Sequence, residues 1–175
     1  MQIQRIKVGL LQTNCYLLEK NNQLIVIDPG DEKEKILAEV KDREVLAVLL
    51  THRHFDHIGA LSIFPNIPIY EYQNLEEKEY HIGPFVFQVL YTPGHTLDSV
   101  TYYFQKEEVM FTGDFLFHED IGRTDLEGGS IHDMKVSLQK MKQYPGNIRL
   151  FPGHEEDTTL AHELQYNNAF QMLEY

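Results

Sequence analysis

Three histidines and one aspartate lie within six consecutive residues of the segment THRHFDH. They are His52, His54, Asp56 and His57. Imidazoles this close together repel one another when they are protonated, unless a cation organises them. Imidazole nitrogens combined with carboxylate oxygens are ligands that suit zinc and iron. The spacing therefore predicts a metal-binding cluster rather than a solvated polar loop.

Three more candidate ligands stand in short turn motifs that follow other apolar segments. His95 ends the motif TPGH, Asp114 ends TGD and His154 ends PGH. Strands that leave a buried sheet deliver their next residues to its rim, so we expect these side chains to converge with the first cluster. The combined set has too many nitrogen ligands for calcium or magnesium. In a two-metal site, Asp114 is the obvious carboxylate to bridge cations about 3.5–4 Å apart.

Short apolar segments should form the strands that position these motifs. The segments that precede or neighbour the motifs are residues 45–50, 85–91, 99–104, 109–112 and 148–151. Several are apolar at every position, which is typical of strands covered on both faces. Earlier strands are predicted at residues 6–11, 16–19 and 24–27, with Asn21 and Asn22 in a hairpin turn between the last two.

Three helices are predicted to cover these strands. The first begins after Asp31, which stands three residues before Glu34 in a pattern like a capping box. The second begins at Ser130 and stops at the Pro-Gly pair of residues 145–146. The last runs from near Thr159 to the C-terminus. Strands outnumber helices, which predicts sheets sandwiched between helices.

Composition limits the classes of function. The chain has 175 residues, a formal net charge of −12 and one cysteine, Cys15, which we expect to be buried. The length suits one domain, the negative charge argues against a nucleic-acid partner, and no apolar segment is long enough to span a membrane. We see no signal peptide and no possible internal disulfide, so we expect a cytoplasmic monomer or homodimer that acts on a small molecule.

The motifs THRHFDH, TPGHT, TGD and PGH, in this order and after VIDPG, resemble those of the metallo-β-lactamase fold hydrolases. The segment FTGDFLFHEDIGRTDL is similar to the small glyoxalase II-like branch, and the match runs from Asn14 to His154. The resemblance implies an α/β (α+β) fold, an αββα four-layer sandwich of two mixed sheets flanked by helices, with the metal site at one sheet edge. We expect one such domain over residues 1–175, without the separate C-terminal helical domain that contacts glutathione in glyoxalase II.

The resemblance also assigns roles to individual residues. It implies that one metal is held by His52, His54 and His95, the second by Asp56, His57 and His154, and both by Asp114. Asp28 in VIDPG corresponds to an aspartate beneath the metal loop. Arg123 in GRTD either contacts substrate or pairs with Asp125 within its own loop. Four histidines outside the motifs are interpreted as surface or structural residues: His81, His118, His132 and His162.

The predicted function is metal-dependent hydrolysis of a thioester, such as a hydroxyacylglutathione. Two zinc ions per chain would generate a hydroxide near neutral pH and polarise the acyl carbonyl. Asp56 would be the catalytic residue that orients the hydroxide. A thiolate leaves without strong acid assistance, which favours a thioester. The thiol carrier is left open, and so is iron in place of zinc.

Two alternatives stay open at this point. The persulfide dioxygenases of the same superfamily keep an HxHxDH run but resemble mononuclear iron enzymes, in which His52, His95 and Asp114 would form the iron triad. A non-catalytic metal-binding module is also conceivable, although structural zinc sites use four ligands and this set has more. A secreted β-lactamase is disfavoured by the missing signal peptide and by Asp114, where one zinc class resembles a cysteine-bearing pattern.

Overall fold

A five-stranded mixed sheet forms the N-terminal half of the computed structural model, which describes residues 1–171. Its strands are β1 (Gln2–Val8), β2 (Thr13–Lys20), β3 (Gln23–Ile27), β4 (Glu44–Leu49) and β5 (Ile69–Tyr70), and they lie side by side in chain order. The pairs β1/β2 and β2/β3 are antiparallel, whereas β3/β4 and β4/β5 are parallel. The carboxyl ends of β3 and β4 therefore meet at one edge.

A six-stranded mixed sheet forms the second half. Its strands are β6 (Glu79–Ile82), β7 (Phe85–Tyr91), β8 (Val100–Phe104), β9 (Val109–Gly113), β10 (Arg149–Pro152) and β11 (Thr158–Thr159), in the order β11-β10-β9-β8-β7-β6. Of these strands, β9 and β10 are the parallel pair, so their carboxyl ends also share an edge.

The two sheets pack face to face because each has an apolar inner face. Successive side chains of a strand point to opposite faces of its sheet, and in the central strands both sets are apolar. Tyr16 and Leu18 of β2 lie in the same buried cluster as Tyr102 of β8 and Phe111 of β9. Burial of one such side chain contributes about 1.5–3 kcal/mol. The intervening residues of these strands face outward, where helices cover them, and this explains the continuous apolar segments seen in the sequence.

Helices lie on both outer faces. They are α1 (Lys33–Val40), α2 (Phe55–Ile58), α3 (Ile131–Met141), α4 (Leu160–Tyr166) and α5 (Asn168–Gln171). Ile36 and Val40 of α1 pack on the first sheet, and Met134 and Leu138 of α3 pack on the second. The predicted αββα sandwich is confirmed. No helix within residues 1–171 has the length and the apolar character needed to cross a bilayer.

Some predicted boundaries were wrong, and backbone conformation explains why. The first strand ends at Val8 and not at residue 11, because Gly9 and Gln12 adopt positive φ angles of 68° and 55° in a turn. The cap of α1 is Glu32, whose own φ is 49°, and Asp31 caps no helical turn. The hairpin turn at Asn21 and Asn22 is confirmed, since both residues adopt left-handed conformations suited to a tight hairpin.

The later helices agree at their starts and differ at their ends. Ser130 caps α3 by accepting a hydrogen bond from the Asp133 amide at 3.2 Å, as predicted. The helix ends at Met141, because the next turn tightens through a hydrogen bond from the Tyr144 amide to the Met141 carbonyl. The single C-terminal helix is instead two helices that break at Asn167, and its last predicted residues, 172–175, lie outside the described part of the chain.

Candidate metal centre

All seven predicted ligands lie at one edge of the sandwich, in segments that follow strands. Four lie after β4, and the others follow β7, β9 and β10: they are His52, His54, Asp56, His57, His95, Asp114 and His154. The two sheets are joined at this edge by a hydrogen bond from the Asn14 amide to the Gly153 carbonyl at 2.7 Å. The strand ends therefore bring residues from distant parts of the sequence to one place.

A first group contains three imidazoles that face one another. The Nε2 atom of His52 lies 3.1 Å from Nδ1 of His54, and Nε2 of His95 lies 2.9 Å from the same Nδ1 atom. Asp114 completes a set whose ligand atoms all lie within 4.8 Å of one another. Nitrogens bound to one metal at about 2.1 Å stand about 3.0–3.4 Å apart, so this spacing suits a shared cation.

A second group lies beside the first. The Oδ2 atom of Asp56 lies 3.4 Å from Nε2 of His57 and 3.3 Å from Nε2 of His154. His57 is fully buried, and His154 is about one-fifth exposed. One carboxylate oxygen and two imidazole nitrogens converge here, as in zinc sites with three protein ligands.

Asp114 lies between the two groups. Its Oδ1 atom is 3.3 Å from Nε2 of His57, and its Oδ2 atom is 3.4 Å from Nε2 of His154. The same Oδ2 atom is 3.5 Å from Nε2 of His95, which belongs to the first group. A single carboxylate thus reaches members of both groups.

Hydrogen bonds on the outer side of the cluster fix the rings of three ligands. Nδ1 of His57 donates to Asp28 at 2.9 Å, and Nδ1 of His95 donates to the Arg123 carbonyl at 2.8 Å. Nδ1 of His154 donates to the Leu11 carbonyl at 3.1 Å. In each ring the proton on Nδ1 leaves Nε2 free to bind a cation.

Two threonines donate hydrogen bonds to carboxylates of the cluster and of Asp28, and no motif in the sequence predicts this role for them. The Oγ1 atom of Thr13 donates to Asp56 at 2.7 Å. Thr51 donates to Asp28 through its amide at 2.8 Å and through its hydroxyl at 2.6 Å. Thr51 is the first residue of THRHFDH, but Thr13 is distant in sequence and carried no signal. Because Asp28 bonds to both Thr51 and the ligand His57, it lies beneath the cluster, as the resemblance implies.

The electrostatics of the cluster keep the ring of His52 neutral and favour positive charge beside the carboxylates of Asp56 and Asp114. Burial and the nearby His57 lower the pKa of His52 well below its ordinary value, so its ring is neutral. Burial alone would raise the pKa of Asp114, but the neighbouring imidazoles of His57, His154 and His52 together outweigh burial and lower it well below its ordinary value. Burial opposes protonation of His154, yet the carboxylates of Asp114 and Asp56 raise its pKa to about 9. The carboxylates of Asp56 and Asp114 therefore stabilise a positive charge beside them, and either a proton on His154 or a metal ion can supply it.

Of the four buried side-chain polar atoms that lack a hydrogen-bond partner among the described residues, two belong to the cluster. They are Nε2 of His57 and Oδ1 of Asp114, which have no hydrogen bond although they are 3.3 Å apart. A buried polar atom without a partner is costly, and buried charges are stable when they are paired or bind a metal. With the facing nitrogens of the first group, these two atoms show that the residues fit divalent cations with nitrogen and oxygen ligands.

Glycines allow the ligand segments to pack this closely. A Cβ atom on Gly153 would stand 2.3 Å from Oδ1 of Asp114 and 2.7 Å from Cε1 of His57. A Cβ atom on Gly30 would stand 1.7 Å from the Asp56 carbonyl oxygen. The glycines of PGH and VIDPG therefore leave room for the ligands.

The side chain of Arg123 forms an ion pair within its own loop. Its guanidinium donates two hydrogen bonds to Asp125, at 2.7 and 2.8 Å, and both side chains are more than half exposed. The backbone carbonyl of Arg123 contacts the cluster, through His95. Of the two interpretations left open by the sequence, the structure shows the loop ion pair.

Comparison with known proteins places the chain among metal-dependent proteins. The family model described as the metallo-beta-lactamase superfamily matches residues 8–72 and 62–154. The probable metallo-hydrolase YqgX of Bacillus subtilis is 34% identical over 98% of this chain and 100% of its own length. The hydroxyacylglutathione hydrolase of Francisella tularensis subsp. novicida is 35% identical over 89% of this chain and 68% of its own length.

Solved structures share the fold over nearly the whole chain. BLEG-1, described as a B3 metallo-beta-lactamase, has a TM-score of 0.92 and 33% identity, covering 97% of this chain and 99% of its own. TTHA1623 in a di-iron-bound form has a TM-score of 0.86 and 34% identity, covering 93% and 98%. ETHE1 from Myxococcus xanthus has a TM-score of 0.83 and 30% identity, covering 99% and 90%.

Proposed function

Because this chain belongs to the metallo-beta-lactamase superfamily, we propose that it is a binuclear metal-dependent hydrolase that cleaves a small-molecule thioester. The superfamily and its metallo-hydrolases give the general class. The number of metals, the thioester and the roles of individual residues are the content of the proposal.

The position of Asp114 carries the proposal. Its two oxygens reach His57 of one group and His95 of the other at 3.3 and 3.5 Å. A mononuclear enzyme needs no carboxylate between two complete groups of ligands. Each group here supplies three ligands besides Asp114, which supports a site for two cations.

Two divalent cations held by these residues would lower the pKa of a water and polarise a carbonyl oxygen. The chain's own contribution is to hold the ligands and to orient the reactants. Thr13 donates to Oδ2 of Asp56, and this leaves the other carboxylate oxygen of Asp56 free to accept a hydrogen bond from the attacking water. The hydrogen bonds of His57, His95 and His154 prevent their rings from rotating during turnover.

The nature of the leaving group is inferred from the side chains that hydrogen-bond to the cluster. Among the described residues, neither hydroxyl bonded there is available to donate a proton to a leaving group. The two hydroxyls there, of Thr13 and Thr51, both donate to carboxylates. A leaving group that departs as a stable anion needs no proton from the protein, and a thiolate has this property. The relative named hydroxyacylglutathione hydrolase supports the same substrate class.

A pocket beside Asp56 is suited to the apolar part of such a substrate. It has a volume of about 230 Å³, and its lining includes Leu10, Leu11 and Phe55. All three of these side chains are more than half exposed. Exposed apolar side chains around a concave site are typical of ligand binding. Assays with thioesters of different thiols would identify the thiol that carries the acyl group.

A matched pair of substrates tests the leaving-group argument. Under nitrogen, a hydroxyacyl thioester and the oxygen ester of the same acyl group are compared with the purified, metal-containing protein. We expect a larger kcat/KM for the thioester, and a β-lactam serves as a third substrate because BLEG-1 is described as a metallo-beta-lactamase. Equal turnover of both esters, or turnover of the β-lactam alone, would refute the thioester assignment.

An iron-dependent dioxygenase acting on persulfides is the second candidate. The observation that favours it is that His52, His95 and Asp114, the three ligands of a mononuclear iron site, lie in one group here. The di-iron-bound form of TTHA1623, a relative of 34% identity, supports iron as the metal but with two ions. Iron in the purified protein and oxygen consumption with a persulfide, without hydrolysis under nitrogen, would place this candidate first.

A further inference from the structure

Three side chains outside the centre form another cluster of metal-ligand type. His118 and Glu119 lie in the tight turn between the paired residues Leu116 and Ile121. His162 lies in α4. Glu119 and His162 are 43 positions apart in sequence, so no local motif predicts their contact.

The ligand atoms of the three side chains converge. Nε2 of His162 lies 2.8 Å from Oε1 of Glu119, and Nε2 of His118 lies 3.8 Å from the same oxygen. The two imidazole rings are stacked, with centroids 5.0 Å apart. One ligand atom from each residue lies within 4.8 Å of the other two.

The backbone that carries the cluster is held in place by buried groups outside it. The fully buried carboxylate of Glu163 accepts a hydrogen bond from the Glu119 amide at 2.8 Å. The buried side chain of Asn167 donates to the Asp120 carbonyl at 3.0 Å. These bonds fix the turn against α4, so the three side chains do not depend on one another for their approach. A preorganised set of ligands binds at lower entropic cost.

The charge at the cluster also favours a cation. Among the described residues, the ion-pair partners of Glu119 are His118 and His162, and no lysine or arginine neutralises its carboxylate. All three side chains are partly exposed, at 47%, 52% and 33% for His118, Glu119 and His162. A cation and its remaining water ligands can therefore reach them.

We propose that His118, Glu119 and His162 form a surface site for a divalent transition metal such as zinc. Two imidazole nitrogens and one carboxylate oxygen are a ligand set that suits zinc, with water in the remaining position. Metal at this site joins the turn after β9 to α4. The inference does not depend on the proposed hydrolase activity, because none of the three residues belongs to the centre.

Equilibrium dialysis against zinc tests the site on the protein as purified, with its resident metal in place. We expect one further zinc per chain in the wild-type protein. The variants His118→Ala and His162→Gln should bind this additional zinc at least about tenfold more weakly, as losses of metal-supporting groups generally do. Both should keep the resident metal, since its ligands are unchanged.

His81→Ala is the matched control. His81 is an exposed histidine whose Nε2 lies 2.7 Å from Oε1 of Glu79, but within residues 1–171 no second imidazole converges on this pair. This control should bind the additional zinc like the wild type. Zinc should also raise the Tm of the wild type and the control more than that of His118→Ala.

The proposal is overturned by either of two results. One is the absence of any zinc beyond the resident metal in the wild type, in which case the cluster is an ion pair and nothing more. The other is an additional zinc bound equally by the wild type and both variants. If His162→Gln fails to fold, His118→Ala decides the question, because its side chain is nearly half exposed.

Discussion

Nδ1 of His57 lies 2.9 Å from Oδ2 of Asp28, and both side chains are almost completely buried. The carboxylate of Asp28 also accepts two hydrogen bonds from Thr51, so neither Asp28 nor the ring of His57 can turn freely. As a result Nε2 of His57 faces Oδ1 of Asp114. The geometry of the ligand cluster thus depends on an aspartate that is not itself a ligand.

Asp28→Asn should weaken metal binding by about 10–100-fold, because the amide cannot accept all the hydrogen bonds that the carboxylate receives. Competition with a chelator measures the affinity. Asp42→Asn, at an exposed position, is the control and should leave it unchanged. Wild-type affinity in Asp28→Asn would show that the ring of His57 is oriented by other contacts.

Asp114→Asn should lose at least one metal and essentially all turnover, because an amide presents a single acceptor oxygen to the two groups of ligands. Elemental analysis and the hydrolysis assay are made on the same sample. Asp120→Asn, in the same turn region and exposed, should retain both properties. Full activity in Asp114→Asn would remove the basis for a binuclear site.

Thr13→Val should lower kcat by about tenfold or more while the protein stays folded, because valine replaces the hydroxyl that donates to Asp56 at 2.7 Å with a methyl group of similar size. Thr13→Ser keeps a hydroxyl and should restore much of the activity. Steady-state kinetics separate this effect on kcat from one on KM. Equal rates for the valine and serine variants would argue against the hydrogen bond.

Arg123→Ala should leave the KM and kcat for the thioester within about twofold of the wild type, because the guanidinium pairs with Asp125 and the backbone carbonyl that supports His95 is retained. Asp125→Ala is the companion variant and should behave alike. A large rise in KM for Arg123→Ala alone would identify a substrate contact that the ion pair conceals.

Cys15 should make stability decrease at alkaline pH. Burial raises the pKa of its thiol far above the ordinary value of about 8.5, so the folded protein keeps the proton that the unfolded chain releases. The stabilisation is complete below about pH 8.5 and is lost above it, by about 1.4 kcal/mol per pH unit. Urea unfolding of the wild type and Cys15→Ala at pH 7 and 10 measures this difference. A gap between the two proteins that does not change with pH would contradict the prediction.

The sequence predicted the layers and the convergence of the ligand motifs because each motif directly follows an apolar strand. The continuous apolar pattern of β4, β8 and β9 indicates strands covered on both faces, but it does not determine the order of the strands in the two sheets. The elements that were missed lack such a signal. β5 has two residues, α2 has four, and β6 is an edge strand within a charged segment.

Contacts between distant segments could not be predicted from the local pattern. Thr13 donates to Asp56, 43 positions away, and nothing in the sequence around Thr13 marks it as a hydrogen-bond donor to a ligand. The pairing of His118 with His162 likewise requires the turn after β9 to pack against α4. For Arg123 the sequence left two interpretations; the structure shows the ion pair with Asp125, and the kinetics of Arg123→Ala test the substrate contact.

The most direct test of the central claim is a titration of metal-free protein with zinc, in which hydrolysis of S-lactoylglutathione under nitrogen is measured at each ratio. If Asp114 joins two functional groups of ligands, activity should rise until about two zinc ions per chain are bound. Maximal activity at one zinc per chain would contradict the binuclear account. Absence of hydrolysis at full loading, with oxygen consumption by the iron-loaded protein on a persulfide, would contradict the hydrolase itself.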